Sequence, residues 1–131
     1  MSFYNVEKTE SGEDNMNVLI ADPDRDFLKS YKTLLELLEN TVQTVFDGTQ
    51  VISKLAAEKF DAVILNENIP RIKCREILKV LKDDRIPSLV ITAKKEKVEM
   101  ADDCIRLPFL PQELTDKLEH ISQERTVAEN G

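Results

Sequence analysis

The chain has 131 residues, 41% hydrophobic and 33% charged, enough for one globular domain with a single core and too little for two. With 3 glycines, 5 prolines and no tryptophan it is neither collagen-like nor of low complexity, and no apolar run approaches the ~20 residues that cross a bilayer. The net charge of −7 argues against a general affinity for nucleic acid or for anionic membranes, both of which need a positive surface, so the expected partner is a protein.

Residues 1–16 carry Glu7, Lys8, Glu10, Glu13 and Asp14 with few core-forming side chains, and read as a disordered acidic leader. They have no apolar stretch of the secretory type, so the expected location is cytoplasmic. The domain is expected over residues 17–121. Val18-Leu19-Ile20-Ala21 reads as a strand, Asp22-Pro23-Asp24 as an acidic turn, and Phe27, Leu28, Tyr31, Leu34, Leu35 and Leu38 as the apolar stripe of a helix. Asp24 is its candidate N-cap, and Asp26 in the first turn suits the helix dipole. Thr41 to Phe46 alternates as a second strand ending at the turn Asp47-Gly48, and Val51, Ile52, Leu55 and Ala56 mark a second helix.

Ala62-Val63-Ile64-Leu65 has no polar alternation, as in a strand covered on both faces, and ends at Asn66-Glu67-Asn68 before Ile69-Pro70. A third helix turns Ile77, Leu78 and Leu81 inward and Arg75, Lys79 and Lys82 outward. Leu89-Val90-Ile91 is a fourth strand and Cys104-Ile105-Arg106 a fifth. Leu110 to Ile121, with Pro111 near its first turn, is the last helix, and residues 122–131 read as a polar tail like the leader. Cys74 and Cys104 fit no Cys-x-x-Cys spacing, and with His120 as the single histidine they are too few for zinc; they read as buried reduced thiols.

Strands alternating with helices imply a mainly parallel five-stranded sheet between two helical layers, an α/β three-layer sandwich. In such sheets the working site lies at the carboxyl ends of the strands, which gathers Asp22, Pro23, Asp24, Asn66, Glu67, Thr92, Ala93, Leu107 and Pro108.

Four segments in register resemble the receiver domains of bacterial response regulators, the CheY-like family. They are Val18 to Asp24, Phe60 to Pro70, Pro87 to Ala93 and Ala101 to Phe109. The resemblance covers roughly residues 17–121 and implies a flavodoxin-like (βα)5 fold with strand order 2-1-3-4-5. It also implies chemistry that needs an aspartate at the end of the third strand to accept a phosphoryl group, and Mg²⁺ held by that aspartate and an acidic pair after the first. A lysine after the fifth strand and a threonine after the fourth complete the family's set.

This chain departs from that pattern. Asn66 stands at the acceptor position, where a neutral amide oxygen cannot form an acyl phosphate, and Pro23 removes one of the acidic pair. One carboxylate, Asp22, remains of three, so Mg²⁺ binding is expected to be weak or absent, and no other cofactor is implied. Leu107 replaces the lysine, Arg106 beside it projects to the other face of the strand, and Cys104 stands where the family has an aromatic residue. Thr92 persists, and reads most simply as a small polar residue ending a strand. Asp22 and Asp24 likewise serve equally well as turn and cap residues.

Between the fourth and fifth strands, the seven residues Lys94 to Met100 span only ~10 Å as a helix, so the family's fourth helix is expected to be shortened or missing. Arg71, Lys73, Arg75, Lys79, Lys82 and Arg85 against Glu76, Asp83 and Asp84 give a local +3, either a solvated helix face or a dock for an acidic partner.

The resulting expectation is a non-enzymatic pseudo-receiver, without catalytic or metal-binding residues, acting by protein contact in two-component or phosphorelay signalling. Its partner would be a histidine kinase, an output domain or another regulator, and a homodimer is possible. Two alternatives remain open. One is a receiver phosphorylated at Glu67, Asp22 or a deamidated Asn66. The other is a flavodoxin-like ligand carrier, which the phosphate-repelling Asp22-Pro23-Asp24 loop disfavours.

Overall fold

A computed structural model describes the backbone of residues 16–130. The acidic leader lies outside the described residues except for Met16, which belongs to the fold: its N–H donates to Asn40 Oδ1 at 3.1 Å and its carbonyl accepts from Thr41 N at 2.8 Å.

The elements run β1 (Asn17–Ala21), α1 (Arg25–Leu37), β2 (Thr41–Val45), α2 (Gly48–Ala57), β3 (Ala62–Asn66), α3 (Cys74–Asp83), β4 (Ser88–Thr92), β5 (Asp103–Arg106) and α4 (Pro111–Asn130). All strand pairs are parallel and the order is β2-β1-β3-β4-β5. Alternation along each strand splits the core in two. Leu19, Ala21, Val63, Leu65 and Val90 pack with Val51 of α2 and Ile77, Leu78 and Leu81 of α3. Val18, Ile20, Ile64, Leu89, Ile91 and Ile105 pack with Leu28 and Leu35 of α1 and Leu114, Leu118 and Ile121 of α4. The uninterrupted apolar runs of β1, β3 and β4 follow from cover on both faces, and each fully buried Leu or Ile contributes about 1.5–3 kcal/mol.

The helix starts follow their capping residues. Asp24 Oδ1 accepts from Asp26 N at 3.0 Å and Phe27 N at 3.2 Å, satisfying two first-turn donors of α1. Asp47 caps α2 by accepting from Gln50 N at 2.9 Å, so the bend at Asp47 leads directly into the helix at Gly48. At the end of α1, Leu38 falls outside the inward stripe and is exposed.

One connection shapes the edge of the sheet beside the site. No helix lies between β4 and β5 among the described residues; residues 93–102 form a loop, in keeping with the short spacing. Its Val98, Met100 and Ala101 cover the sheet in place of a helix. The loop is anchored by Val98 N to Cys104 Sγ (3.3 Å), Asp102 N to Ser88 Oγ (3.1 Å) and Ser88 N to Asp102 Oδ2 (2.8 Å). At the other end of the chain, α4 continues unbroken from Ile121 to Asn130, through most of the residues read as a polar tail. The apolar periodicity stops at Ile121, but the residues beyond it include good helix formers and no Gly or Pro before Gly131, so local propensity favours continuing the helix past the last periodic position.

Gly48 is held against the entry to α3, where a Cβ would meet Ile72 Cβ at 2.7 Å and Ile72 N at 3.0 Å. Gly48→Ala should therefore lower the stability measured by urea unfolding by about 1–3 kcal/mol, despite the higher helix propensity of alanine.

Candidate functional site

The sheet topology brings the carboxyl ends of β1, β3 and β4 side by side, and with them Asp22, Asn66 and Thr92. Asp22, just past β1, is 3% exposed. Its Oδ1 accepts from Asp24 N at 2.8 Å and its Oδ2 from Asn66 Nδ2 at 3.0 Å. Burial pushes the Asp22 carboxyl above the usual aspartate range; those two donors pull it down and the nearby Asp24 charge adds a smaller upward push. Asn66 uses both ends of its amide, since its Oδ1 accepts from Asn68 N at 2.7 Å. An ionised aspartate could make the second bond but not the first, because a carboxylate has no donor to offer Asp22.

The remaining residues of the expected pocket are placed as follows. Pro23 and Asp24 are exposed in the turn, and the Asp24 carboxylate is used as the α1 cap. Leu107 is 46% exposed, follows β5, and donates its N–H to Thr92 O at 2.9 Å; the Leu107–Pro108 peptide is cis. Arg106 is exposed and pairs in register with Thr92. Cys74 is buried and Cys104 partly so, both as free thiols, and burial pushes the Cys74 thiol up to about 11. A single buried carboxylate with one oxygen facing an amide N–H₂ is a poor donor set for a divalent cation. Among the described residues no three His, Cys, Asp or Glu side chains are grouped so as to hold a metal.

Thr92 does more than end a strand. Its Oγ1 donates to Glu67 Oε1 at 2.6 Å and accepts from Lys94 N at 3.0 Å, while Lys94 Nζ lies 3.0 Å from Glu67 Oε2. Glu67 is therefore engaged through both oxygens. Burial works against its ionisation, but the bonds from Thr92 and Lys94 and the Lys94 charge outweigh it and hold the carboxyl below the usual glutamate range. The role of Lys94 was not expected from the sequence. The available signal was a pair of opposite charges just after two neighbouring parallel strands, Glu67 after β3 and Lys94 after β4.

Of the basic positions expected to form a docking face, Lys73, Arg75, Lys79 and Lys82 are exposed on or beside α3. Arg71 is exposed too, but is ion-paired, with its Nε 3.4 Å from Asp47 Oδ2.

A parallel sheet of order 2-1-3-4-5 with its polar constellation at the strand ends defines a CheY-like α/β sandwich. The fold matches a CheY-like receiver domain protein from Methanospirillum hungatei JF-1, with a TM-score of 0.78 at 23% identity over 89% of this chain and 99% of that one. It also matches the chemotaxis response regulator CheY4 of Vibrio cholerae, with a TM-score of 0.76 at 22% identity over 82% and 98%. The family model for the response regulator receiver domain matches residues 18–119, and the chain belongs to that family. Among curated relatives it is 27% identical to the alkaline phosphatase synthesis transcriptional regulatory protein PhoP of Bacillus subtilis, over 87% of this chain and 51% of that protein. It is 30% identical to the CpxR homolog of Haemophilus influenzae, over 79% and 49%. The chain thus spans about half the length of the curated relatives it matches.

Glu67 has a lowered carboxyl pKa in the fold, so it stabilises the protein above the ordinary glutamate value of about 4.3 and loses that contribution as pH falls through the folded value. Glu67→Gln should cost about 1–2 kcal/mol at pH 7, and the gap between variant and parent should close as urea titrations are repeated towards pH 3. Asn66→Asp removes the donor to Asp22 and sets a second carboxylate beside it. It should lower stability at pH 7 by about 1–3 kcal/mol, with recovery on mild acidification as the pair takes up a proton.

Proposed function

We propose that this receiver domain is a pseudo-receiver: a member of the two-component signalling family that works through protein contact and not through a phosphoryl group on its own strand-end pocket. The observation that carries this reading is the pairing of Asn66 with Asp22. The position expected to be nucleophilic holds an amide, and that amide spends its N–H₂ on the one buried carboxylate left in the pocket. Pro23 and Leu107 support the same reading, because a single accidental loss of the acceptor would have left the second acidic residue and the lysine in place.

Two further points follow from the donor set. Mg²⁺ binding is weak or absent, since one carboxylate does not strip water from that ion. The chain performs no phosphoryl transfer, so it is not an enzyme. Phosphorylation at Glu67 is the weaker reading because both of its oxygens are already held by Thr92 and Lys94, and Asp22 is buried behind Asn66. The partner is a kinase, output domain or other regulator carrying an acidic surface, and Lys73, Arg75, Lys79 and Lys82 on and beside α3 form the row it meets.

Incubation with acetyl phosphate and Mg²⁺ followed by intact-mass measurement should leave the parent unmodified, and beryllofluoride should produce no Mg²⁺-dependent change in its spectrum. A stoichiometric phosphoryl adduct on the parent chain would sink the reading. Pro23→Asp/Asn66→Asp/Leu107→Lys should regain Mg²⁺-dependent phosphorylation in the same assay.

A further inference from the structure

The opposite end of the sheet carries a second concavity. The last turn of α3, the segment Arg85–Ser88 leading into β4, and the far half of the 93–102 loop enclose a groove of about 730 Å³. Its apolar lining includes Ile86, Val98 and Met100, all partly buried. Lys82 and Arg85 stand on one wall and Lys97 on the other. Among the described residues none of these three cations has a carboxylate partner, whereas Lys32, Lys54, Arg71, Lys94 and Lys117 do. Asp102, which also lines the groove, already accepts from Ser88 N, which leaves Glu99 as the acidic side chain without such a bond. In a chain of net charge −7, a groove lined by three cations without an ion-pair partner among the described residues and by two carboxylates, one of them already bonded, is locally positive.

We infer that this groove docks an acidic segment of a partner protein, one that inserts one or two apolar side chains between α3 and the loop. The apolar floor calls for a hydrocarbon side chain, and the rim calls for carboxylates on both sides of it. The ligand is extended and not a small anion, because Arg75 and Lys79 continue the basic row from Lys82 along the same face of α3, at spacings of three and four residues. The groove exists because the 93–102 connection is a loop, so its wall is built from Lys97, Val98 and Met100. This inference rests on the reading of the chain as a protein-binding module and narrows where that binding is anchored.

The test is an NMR titration of the full-length, isotope-labelled chain with a synthetic twelve-residue peptide of glutamates carrying two central leucines, alongside a counterpart with lysine for every glutamate. Saturable shifts should concentrate at residues 81–88 and 97–102 with the acidic peptide, weaken as salt is raised, and be absent with the basic one. Lys82→Glu/Lys97→Glu should weaken binding at least tenfold. Lys29→Glu/Lys59→Glu, with the same change in net charge at exposed sites away from the groove, should change it less than threefold. Met100→Ala should weaken binding without altering its salt dependence.

Absence of saturable shifts, shifts centred elsewhere, or equal effects of the two charge-reversal pairs would overturn the assignment. Groove shifts that appear on dilution of the peptide-free chain would replace the partner with a second copy of this chain. Groove shifts on neutralising Glu7, Glu10 and Glu13 would replace it with the chain's own leading residues. The titration contains no phosphoryl donor, so its failure is distinct from failure of the pseudo-receiver reading, which the acetyl phosphate adduct decides.

Discussion

The hydrogen bond from the Asn66 amide to the Asp22 carboxylate is the interaction on which the strand-end pocket depends. A carboxylate at 3% exposure is costly to ionise, and it needs either a cation or convergent donors. Here the donors are internal: one backbone N–H from the turn after β1 and one amide from the end of β3. Each Asp22 oxygen therefore accepts a hydrogen bond from within the chain. An aspartate at position 66 would turn this self-sufficient pair into two facing anions, and the neutral amide removes that demand for a counter-ion.

The neighbouring cluster follows the same logic. Thr92 and Lys94 direct a hydroxyl and an ammonium at a carboxylate supplied by the chain itself, Glu67, and so tie the end of β3 to the end of β4. The two pairs sit side by side and both satisfy their charges locally. Asp22 with Asn66, and Glu67 with Thr92 and Lys94, are thus bonded to one another within the chain.

Much of the architecture was legible in the residues. The apolar runs of β1, β3 and β4 and the helical spacing of α1 and α3 announce a sheet buried on both faces, and the strand ends gather Asp22, Asn66 and Thr92 without coordinates. What stayed hidden depended on chain path or on weak local preference. The Glu67–Lys94 pair needs the loop to bring Lys94 back over β3, which no periodicity encodes. The helix past Ile121 carries no regular apolar spacing in the sequence, so a reading based on periodicity stopped there. Asp47-Gly48 carried a turn signature that the tertiary context used as a helix cap.

The loop that replaces a helix between β4 and β5 changes how this edge of the molecule can open. A helix keeps its own hydrogen bonds when it lifts away as a body, so it can detach while the sheet beneath remains intact. Here the N–H groups of Lys94, Val98 and Asp102 donate to side chains of Thr92, Cys104 and Ser88, all of them strand residues. The loop cannot leave without breaking bonds to β4 and β5, and β5, as the edge strand, loses part of its cover when it does. Release of the loop and fraying of the sheet edge are thus coupled through these side-chain bonds, although residues 93–97 themselves stand exposed.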